Sequence, residues 1–540
     1  MPSESPQAST RARLAGPATI GFLFITALTL GLGLATPAPQ WGGLIAMSVF
    51  YAATYWLGVW ASARADGSFR DMVLAGRRLG LGVGVFTMTA TWVDGGYVNG
   101  TAEQTYSNGL LAVQAPWGYA LSLLIGGLWF APVMRRHGFT TLLDPFDRRF
   151  GKKAAAILYL PALTGEVVWT AAILTALGTT FGIILDLDSS WSIVLSAAVV
   201  LIYTITGGLW AVALTDVAQL VVLVIGLWIV VPFVSSSVGG FGHAWATYQA
   251  QVMAKAPPIN WWTWSDSGLL LIFGGIPWHV YFQRVLAARD EQVARRLSIL
   301  AGLFCAFAAI PPMLIGILAS AADWHARGLP APEATLIMPY VLRHLTPPIV
   351  AAIGLGAVSA AVMSSIDSSV LSASSMAAWN VYRPLINPNA SSAQLTKVVK
   401  RMVVIVGVAA TLMAIKVQSI YTLWVLCSDL VYCVLFPQLL LALWDRRANR
   451  WGSYVGMAVS AAIRAGAGEP LLGLPMLLPL PVDAAGAVRI PIKSIAMLAG
   501  LASMWLVSRA TQAACPAIPL EPEPEVIDGP LAPVPDASLP

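Results

Sequence analysis

Apolar residues arrive in blocks close to the length of a bilayer crossing, and short polar stretches between them carry most of the Lys and Arg. A hydrocarbon core of about 30 Å takes roughly 20 helical residues. Blocks of that kind occupy 17–35, 40–63, 79–99, 112–134, 154–183, 191–212, 214–235, 264–283, 298–321, 349–382, 402–418, 421–443, 452–477 and 491–508. The pattern predicts an all-α polytopic membrane protein with about 13–14 transmembrane spans. Residues 1–16 form a polar N-terminal segment. Residues 17–36 read either as an extra membrane helix or as a cleavable export signal with small residues near its end; the length favours a retained helix. The bulk of the membrane domain covers 40–510. The tail, 511–540, is rich in Pro and Glu, cannot bury a core and is expected to be disordered.

One block is at odds with its own pattern. Phe86–Thr101 lies in an apolar span, yet it carries Gly95-Gly96, several hydroxyls and Asp94. Each glycine weakens a helix by roughly 1 kcal/mol relative to alanine. A break at membrane depth survives only where protein or a polar cavity surrounds the freed N–H and C=O groups. Residues 86–101 are therefore expected to form a broken helix whose bared carbonyls face a cation, with Trp92 and Tyr97 beside them.

Composition agrees with a membrane protein: 57% of residues are hydrophobic and 11% charged, against about 25% charged in soluble domains. The net charge of +5 is spread over short loops, so it marks no nucleic-acid surface. With 40–63 running outside to inside, the cytoplasmic loops hold Arg64 to Arg78, Arg135 to Lys153, Arg284 to Arg296, Arg383 to Arg401 and Arg446 to Arg450. The other side holds only Lys255, Arg327, Arg343, Lys416, Arg489 and Lys493, the asymmetry of a positive-inside topology. Arg11 and Arg13 place the N-terminus in the cytoplasm, and both termini lie there if 17–36 is retained. Trp261, Trp262 and Trp264 read as an interfacial aromatic belt. Cys305, Cys427, Cys433 and Cys515 lack metal-ligand spacing and predict no disulfide framework.

Ionisable groups inside spans are functional candidates: Asp94, Glu166, Asp216, Asp367 and Asp429. For each, the plainer reading is a satisfied structural carboxylate. The segment Ser359–Ser375 is rich in hydroxyls, and on a helix Ala361, Ser364, Ser365 and Ser368 share one face. Small hydroxyls also serve close helix packing. A hard monovalent cation such as Na⁺ wants several oxygens; two serines and the carbonyls freed at the break would supply them. No Walker-type nucleotide loop is present, and nothing points to covalent catalysis.

Taken in order, these residues resemble the sodium/solute symporters, and within them the high-affinity choline transporters. The matching blocks are Thr87–Val93 with Gly95-Gly96-Tyr97 and Asn99–Glu103, then Gln114-Ala115-Pro116 with Gly118-Tyr119, and Leu143-Asp144-Pro145-Phe146. They continue with Pro161-Ala162-Leu163 and Gly165-Glu166, Gly207-Gly208-Leu209, Thr215-Asp216-Val217, Gly274–Trp278, Tyr281–Leu286, Gly356–Ser365 and Ser428–Tyr432. The resemblance spans roughly 40–510. It implies a LeuT-type inverted-repeat fold with additional flanking helices, and substrate and ions bound near the bilayer midplane at broken helices. It also implies Na⁺-coupled uptake of choline across the plasma membrane, with Cl⁻ as a further ion in the animal members.

The same resemblance assigns an aromatic cage to Trp92, Tyr119, Trp169 and Trp278. The chemistry agrees, because a quaternary ammonium has no N–H to donate and is held by aromatic faces. The resemblance places the sodium site at backbone carbonyls near Thr89 and Trp92 with Ala361, Ser364 and Ser365; Asp367 lies on the same helix, and Asp216 sits in a Thr-Asp motif that some relatives use for a second ion. Asp94 departs from the choline transporters, which have glycine there. It is read as a group that pairs with the substrate cation, binds Na⁺ or a proton, or points into a polar cavity. A betaine, an amino acid or a polyamine is the alternative substrate class, and a transporter-like membrane sensor the alternative function.

Overall fold

A computed structural model describes residues 16–521 apart from 36–40, 63–67, 186–187, 205–207, 257, 418, 471–472, 484–485 and 487. Helices α1 (Pro17–Ala35) and α2 (Trp41–Ser62) come first. Two runs of five spans follow. The first holds α3 (Leu81–Trp92) and α4 (Gly95–Asn108), α5 (Ala115–Ile125, continued to Arg136), α6 (Lys152–Leu185), α7 (Ser189–Thr204) and α8 (Leu209–Ser237). The second holds α9 (Trp261–Gly274) and α10 (His279–Ala287), α11 (Glu291–Ala308, continued by Ile310–Ser320), α12 (Pro348–Met376), α13 (Ser392–Lys416) and α14 (Ile420–Cys427, continued to Trp444). Helices α15 (Arg450–Gly466) and α16 (Ile492–Ala510) pack together at the end. Each run therefore opens on a broken helix.

The first break is where the two glycines put it. Helix α3 stops as Val93 turns out of helical geometry (φ −92°, ψ 67°), and α4 restarts one residue later with Asp94 as its N-cap. Gly95 lets the new helix begin flush against its neighbours: a Cβ there would stand 2.2 Å from Val362 Cγ2 of α12 and 3.3 Å from Ala176 Cβ of α6. The second break was not expected. Block 264–283 reads as one span, but α9 ends at Gly274 and α10 begins after Trp278, whose backbone is extended. Its cause is legible afterwards in Gly274-Gly275-Ile276-Pro277, since proline lacks the N–H that would continue the helix.

Other boundaries move for similar reasons. The seam expected at 213 falls before Leu209, with Gly208 as the extended cap of α8. The block 452–477 is helical only to Gly466; the chain then turns at Gly468 (φ +75°) into an isolated bridge between Glu469 and Leu474. The loops read at 236–263 and 322–348 contain short helices, Phe241–Tyr248 and Ile337–Leu345. Arg11, Arg13, Arg64 and the end of the tail, 522–540, lie outside the described residues. The start of the tail is held: Asn449 donates to the Cys515 carbonyl (2.7 Å) and Arg149 to that of Ile518 (2.7 Å).

Among the described residues, nine helices are long and apolar enough to cross a membrane. The broken α3–α4, the shorter α7 and α15, and the flanking α1 and α2 account for the remaining apolar blocks. Helices α6 and α12 form the centre, and nearly all of α12 is buried, polar residues included. A polar helix tolerates that position because its serines, Ser374 excepted, bond back to carbonyls about one turn earlier or to facing groups.

Candidate functional site

The two breaks and α6 bring four sequence-predicted rings together. Trp92 ends α3, Tyr119 stands on α5, Trp169 on α6, and Trp278 caps α10. Ring centroids are 4.8 Å apart for Trp92 and Tyr119, 6.4 Å for Trp92 and Trp169, and 5.4 Å for Trp169 and Trp278. Trp424 of α14 completes the ring, 4.9 Å from Tyr119. Val280 and Cys427 close the walls, and these side chains pack so closely that no water-sized space is left among them.

Trp424 was not foreseen. It stands one turn before the Ser428-Asp429 block, and only the fold shows which of the 21 tryptophans turn inward. Tyr119 is fixed from the same side: its hydroxyl lies 2.6 Å from Ser428 Oγ and 3.4 Å from the Trp424 carbonyl. Gly165 lets α6 approach the cage wall, where a Cβ would lie 3.0 Å from the Cys427 carbonyl and 3.4 Å from the Trp278 ring.

Asp94 sits beside this cage, fully buried, and both of its oxygens are engaged. One accepts the Tyr97 backbone N–H at the start of α4, and the other accepts the Trp169 indole N–H at 2.6 Å. The indole nitrogens of Trp92 and Trp278 are buried and without a partner.

Below the first break, the end of α3 meets the serine face of α12. Ser364 Oγ donates toward the carbonyls of Ala90 (3.1 Å) and Ala361 (2.9 Å). Ser365 Oγ reaches those of Thr91 (3.2 Å), Ala90 (3.3 Å) and Ala361 (3.4 Å). Two hydroxyls and three carbonyls thus converge, an oxygen-rich and neutral set suited to a hard monovalent cation. The carbonyls facing the serines belong to the turn between the predicted Thr89 and Trp92; that of Thr89 accepts the Val93 N–H at 2.8 Å, and its hydroxyl bonds Val85.

Asp216 and Asp367 gather elsewhere, around Arg284. That arginine, expected in a cytoplasmic loop, is fully buried on α10. It pairs with Asp216 Oδ2 (3.4 Å) and donates to Ser368 Oγ (2.5 Å), while Thr87 donates to the same aspartate oxygen (2.5 Å). Asp216 Oδ1 and Asp367 Oδ2 have no hydrogen-bond partner. The remaining intramembrane acids are internally satisfied. Glu166 accepts from Ser369 (2.9 Å) and Ser372 (2.5 Å), and Asp429 from Arg464 (2.7 Å).

Two broken helices, an aromatic cage and an oxygen site on one helix face define an ion-coupled solute carrier. A sequence model of the Sodium:solute symporter family matches residues 72–460, and the chain belongs to that family. It is 44% identical over 491 residues to "High-affinity choline transporter 1" of Caenorhabditis elegans, covering 86% of this chain and 84% of the worm protein. The Homo sapiens "High affinity choline transporter 1" is 46% identical over 454 residues, 81% of this chain and 78% of the human protein. Among solved structures, a Na⁺-coupled sialic acid symporter in its substrate-bound outward-open state superposes with a TM-score of 0.74 at 20% identity, covering 87% of this chain and 98% of that one. The fold is the LeuT type with flanking helices.

Proposed function

We propose that this protein imports choline, or a closely related quaternary ammonium, across the plasma membrane by symport with Na⁺. The observation that carries the reading is the meeting of Trp92, Tyr119, Trp169, Trp278 and Trp424 at the two helix breaks. A trimethylammonium head has no N–H, so a cage of π faces selects it, each ring contributing about 0.5–2 kcal/mol. The high identity to proteins named as choline transporters, over most of both chains, supports the same substrate.

Ala361, Ser364 and Ser365, with the carbonyls of the Ala90–Trp92 turn, are the groups assigned to Na⁺, which is cargo here. A cation held there ties α3 to α12. It thereby fixes the end of α3, which carries Trp92, in the place where the cage needs it. Binding the ion thus prepares the substrate site, and the two are released together when one helix bundle rocks against the other. A cation is held within about 6 Å of a ring centroid. Trp92 and Tyr119, at 4.8 Å from each other, must therefore part before a head group passes between them. The parting couples substrate entry to movement of α3 against α5.

The test is uptake of radiolabelled choline into proteoliposomes holding only this chain, with and without an inward Na⁺ gradient. Accumulation against a choline gradient that vanishes when K⁺ replaces Na⁺ is the expected result. Stronger competition by a betaine, an amino acid or a polyamine than by unlabelled choline would reassign the substrate. Absence of any sodium-driven accumulation would leave the sensor reading in place.

A further inference from the structure

We infer that Asp94 acts on the substrate through another residue: its carboxylate positions the Trp169 ring in the cage and touches no part of the solute. The inference rests on the cage reading above and adds a role for a group that lies behind it.

The geometry leaves Asp94 little else to do. As N-cap of α4 its Oδ1 is committed to the Tyr97 N–H. Its Oδ2 takes the indole N–H of Trp169 at 2.6 Å, a short hydrogen bond. The residue is fully buried and does not line the space between the rings. Gly96 keeps the carboxylate's place open: a Cβ there would lie 3.2 Å from Asp94 Oδ1.

Trp169 is the ring that matters most for such a hold. It stands between Trp92 (6.4 Å) and Trp278 (5.4 Å) and meets Trp278 nearly edge-on, at 77°. The indole nitrogens of both those neighbours are buried without acceptors, so no hydrogen bond sets the turn of either ring. Trp169 alone of the three is pinned, and it is pinned from the backbone of the first helix break. The carboxylate thus transmits the position of α4 to the cage wall on α6. A cap residue and a specificity residue are here one side chain.

The test is a double-mutant cycle built from Asp94→Asn and Trp169→Phe. Asparagine can still cap α4 through its oxygen, but its amide then faces the indole N–H donor to donor. Phenylalanine keeps a π face and removes the N–H. Asp94→Asn is expected to raise the choline KM about tenfold, the cost of leaving one buried indole N–H without its acceptor, with little change in Vmax. In the Trp169→Phe background the same substitution should change KM less than twofold. Multiplying effects in the double mutant would overturn the proposal and make Asp94 a direct ligand of substrate or ion.

The same four proteins, purified without choline, give a second reading by thermal unfolding. Coupling between the two positions is expected there too, and additive shifts in Tm would equally overturn the proposal. If the unmodified protein transports no choline, the cage reading fails by itself, and the thermal cycle still decides whether the carboxylate holds the ring. Asp94→Ser, which caps but is too short to reach Trp169, replaces Asp94→Asn if the latter does not fold.

Discussion

At the scale of single residues, the proposed site separates two kinds of group. The rings at 92, 119, 169, 278 and 424 offer π faces and no charge, whereas Ser364 and Ser365 offer neutral oxygens. Their losses should therefore read out on different axes. Trp278→Ala removes one wall and should abolish choline uptake or raise KM at least tenfold, with expression intact, at about 2 kcal/mol for a desolvated cation–π contact. An unchanged apparent affinity would remove Trp278 from the cage. Ser364→Ala should leave choline affinity at saturating Na⁺ nearly intact while raising the Na⁺ concentration for half-maximal uptake several-fold, measured by uptake at varied Na⁺; an unaltered curve would free the serine of that role. Four rings were legible in the sequence because they sit inside ordered motifs. Trp424 was hidden because its inward turn depends on how α14 packs against Tyr119. Asp94 was legible as exceptional, yet its role was not, since the partner that uses its second oxygen lies 75 residues away on α6.

At the scale of elements, the difference between the two breaks is instructive. The first was foreseen because Gly95-Gly96 and Asp94 interrupt an apolar run with groups that have no place in a lipid-facing helix. The second was missed because Ile276-Pro277-Trp278 stays apolar throughout, and hydropathy does not register a missing N–H. A break can thus be written in polarity or in backbone chemistry, and only the first kind shows in a hydrophobicity pattern. Gly95 has a further, purely steric part. With 2.2 Å between its would-be Cβ and Val362 Cγ2, Gly95→Ala must push α4 away from α12. Overpacking of this kind costs about 1–3 kcal/mol, and it displaces the cap that holds both Tyr97 and Trp169. The expected outcome is a lower Tm in detergent together with weaker choline uptake. Adding Val362→Ala, which removes the clashing methyl, should recover most of both; a double mutant as impaired as the single would show that the glycine serves backbone freedom instead.

At the scale of the whole molecule, a buried charge cluster joins helices of both five-span runs, placed where the chain's positive-inside pattern gave no hint of it. Arg284 belongs to α10, the second half of one broken helix, and through it meets Thr87 of α3, the first half of the other. It also contacts Asp216 of α8 and Ser368 of α12, so one guanidinium spans four helices drawn from both five-span runs. Arginine suits that position because its planar fork stays charged and donates in several directions at once. Taking such an ion out of water is costly, and the pair's worth lies in what its loss would leave behind. Arg284→Gln would strand Asp216, whose Oδ2 loses its cation, close to Asp367, whose Oδ2 already lacks a partner. Removing one member of a buried pair costs about 3–5 kcal/mol, so a marked fall in Tm in detergent is expected, together with loss of sodium-driven uptake. Arg284→Gln combined with Asp216→Asn removes the charge stranded at Asp216 and should restore part of the thermal stability, the rest being withheld because Asp367 still lacks its cation. Uptake should not return with it, because a neutral amide pair no longer draws α3, α8, α10 and α12 to one point. Full recovery of transport in the double mutant would show that the cluster merely balances charge. A single mutant as stable as the unmodified protein would show that the guanidinium braces nothing.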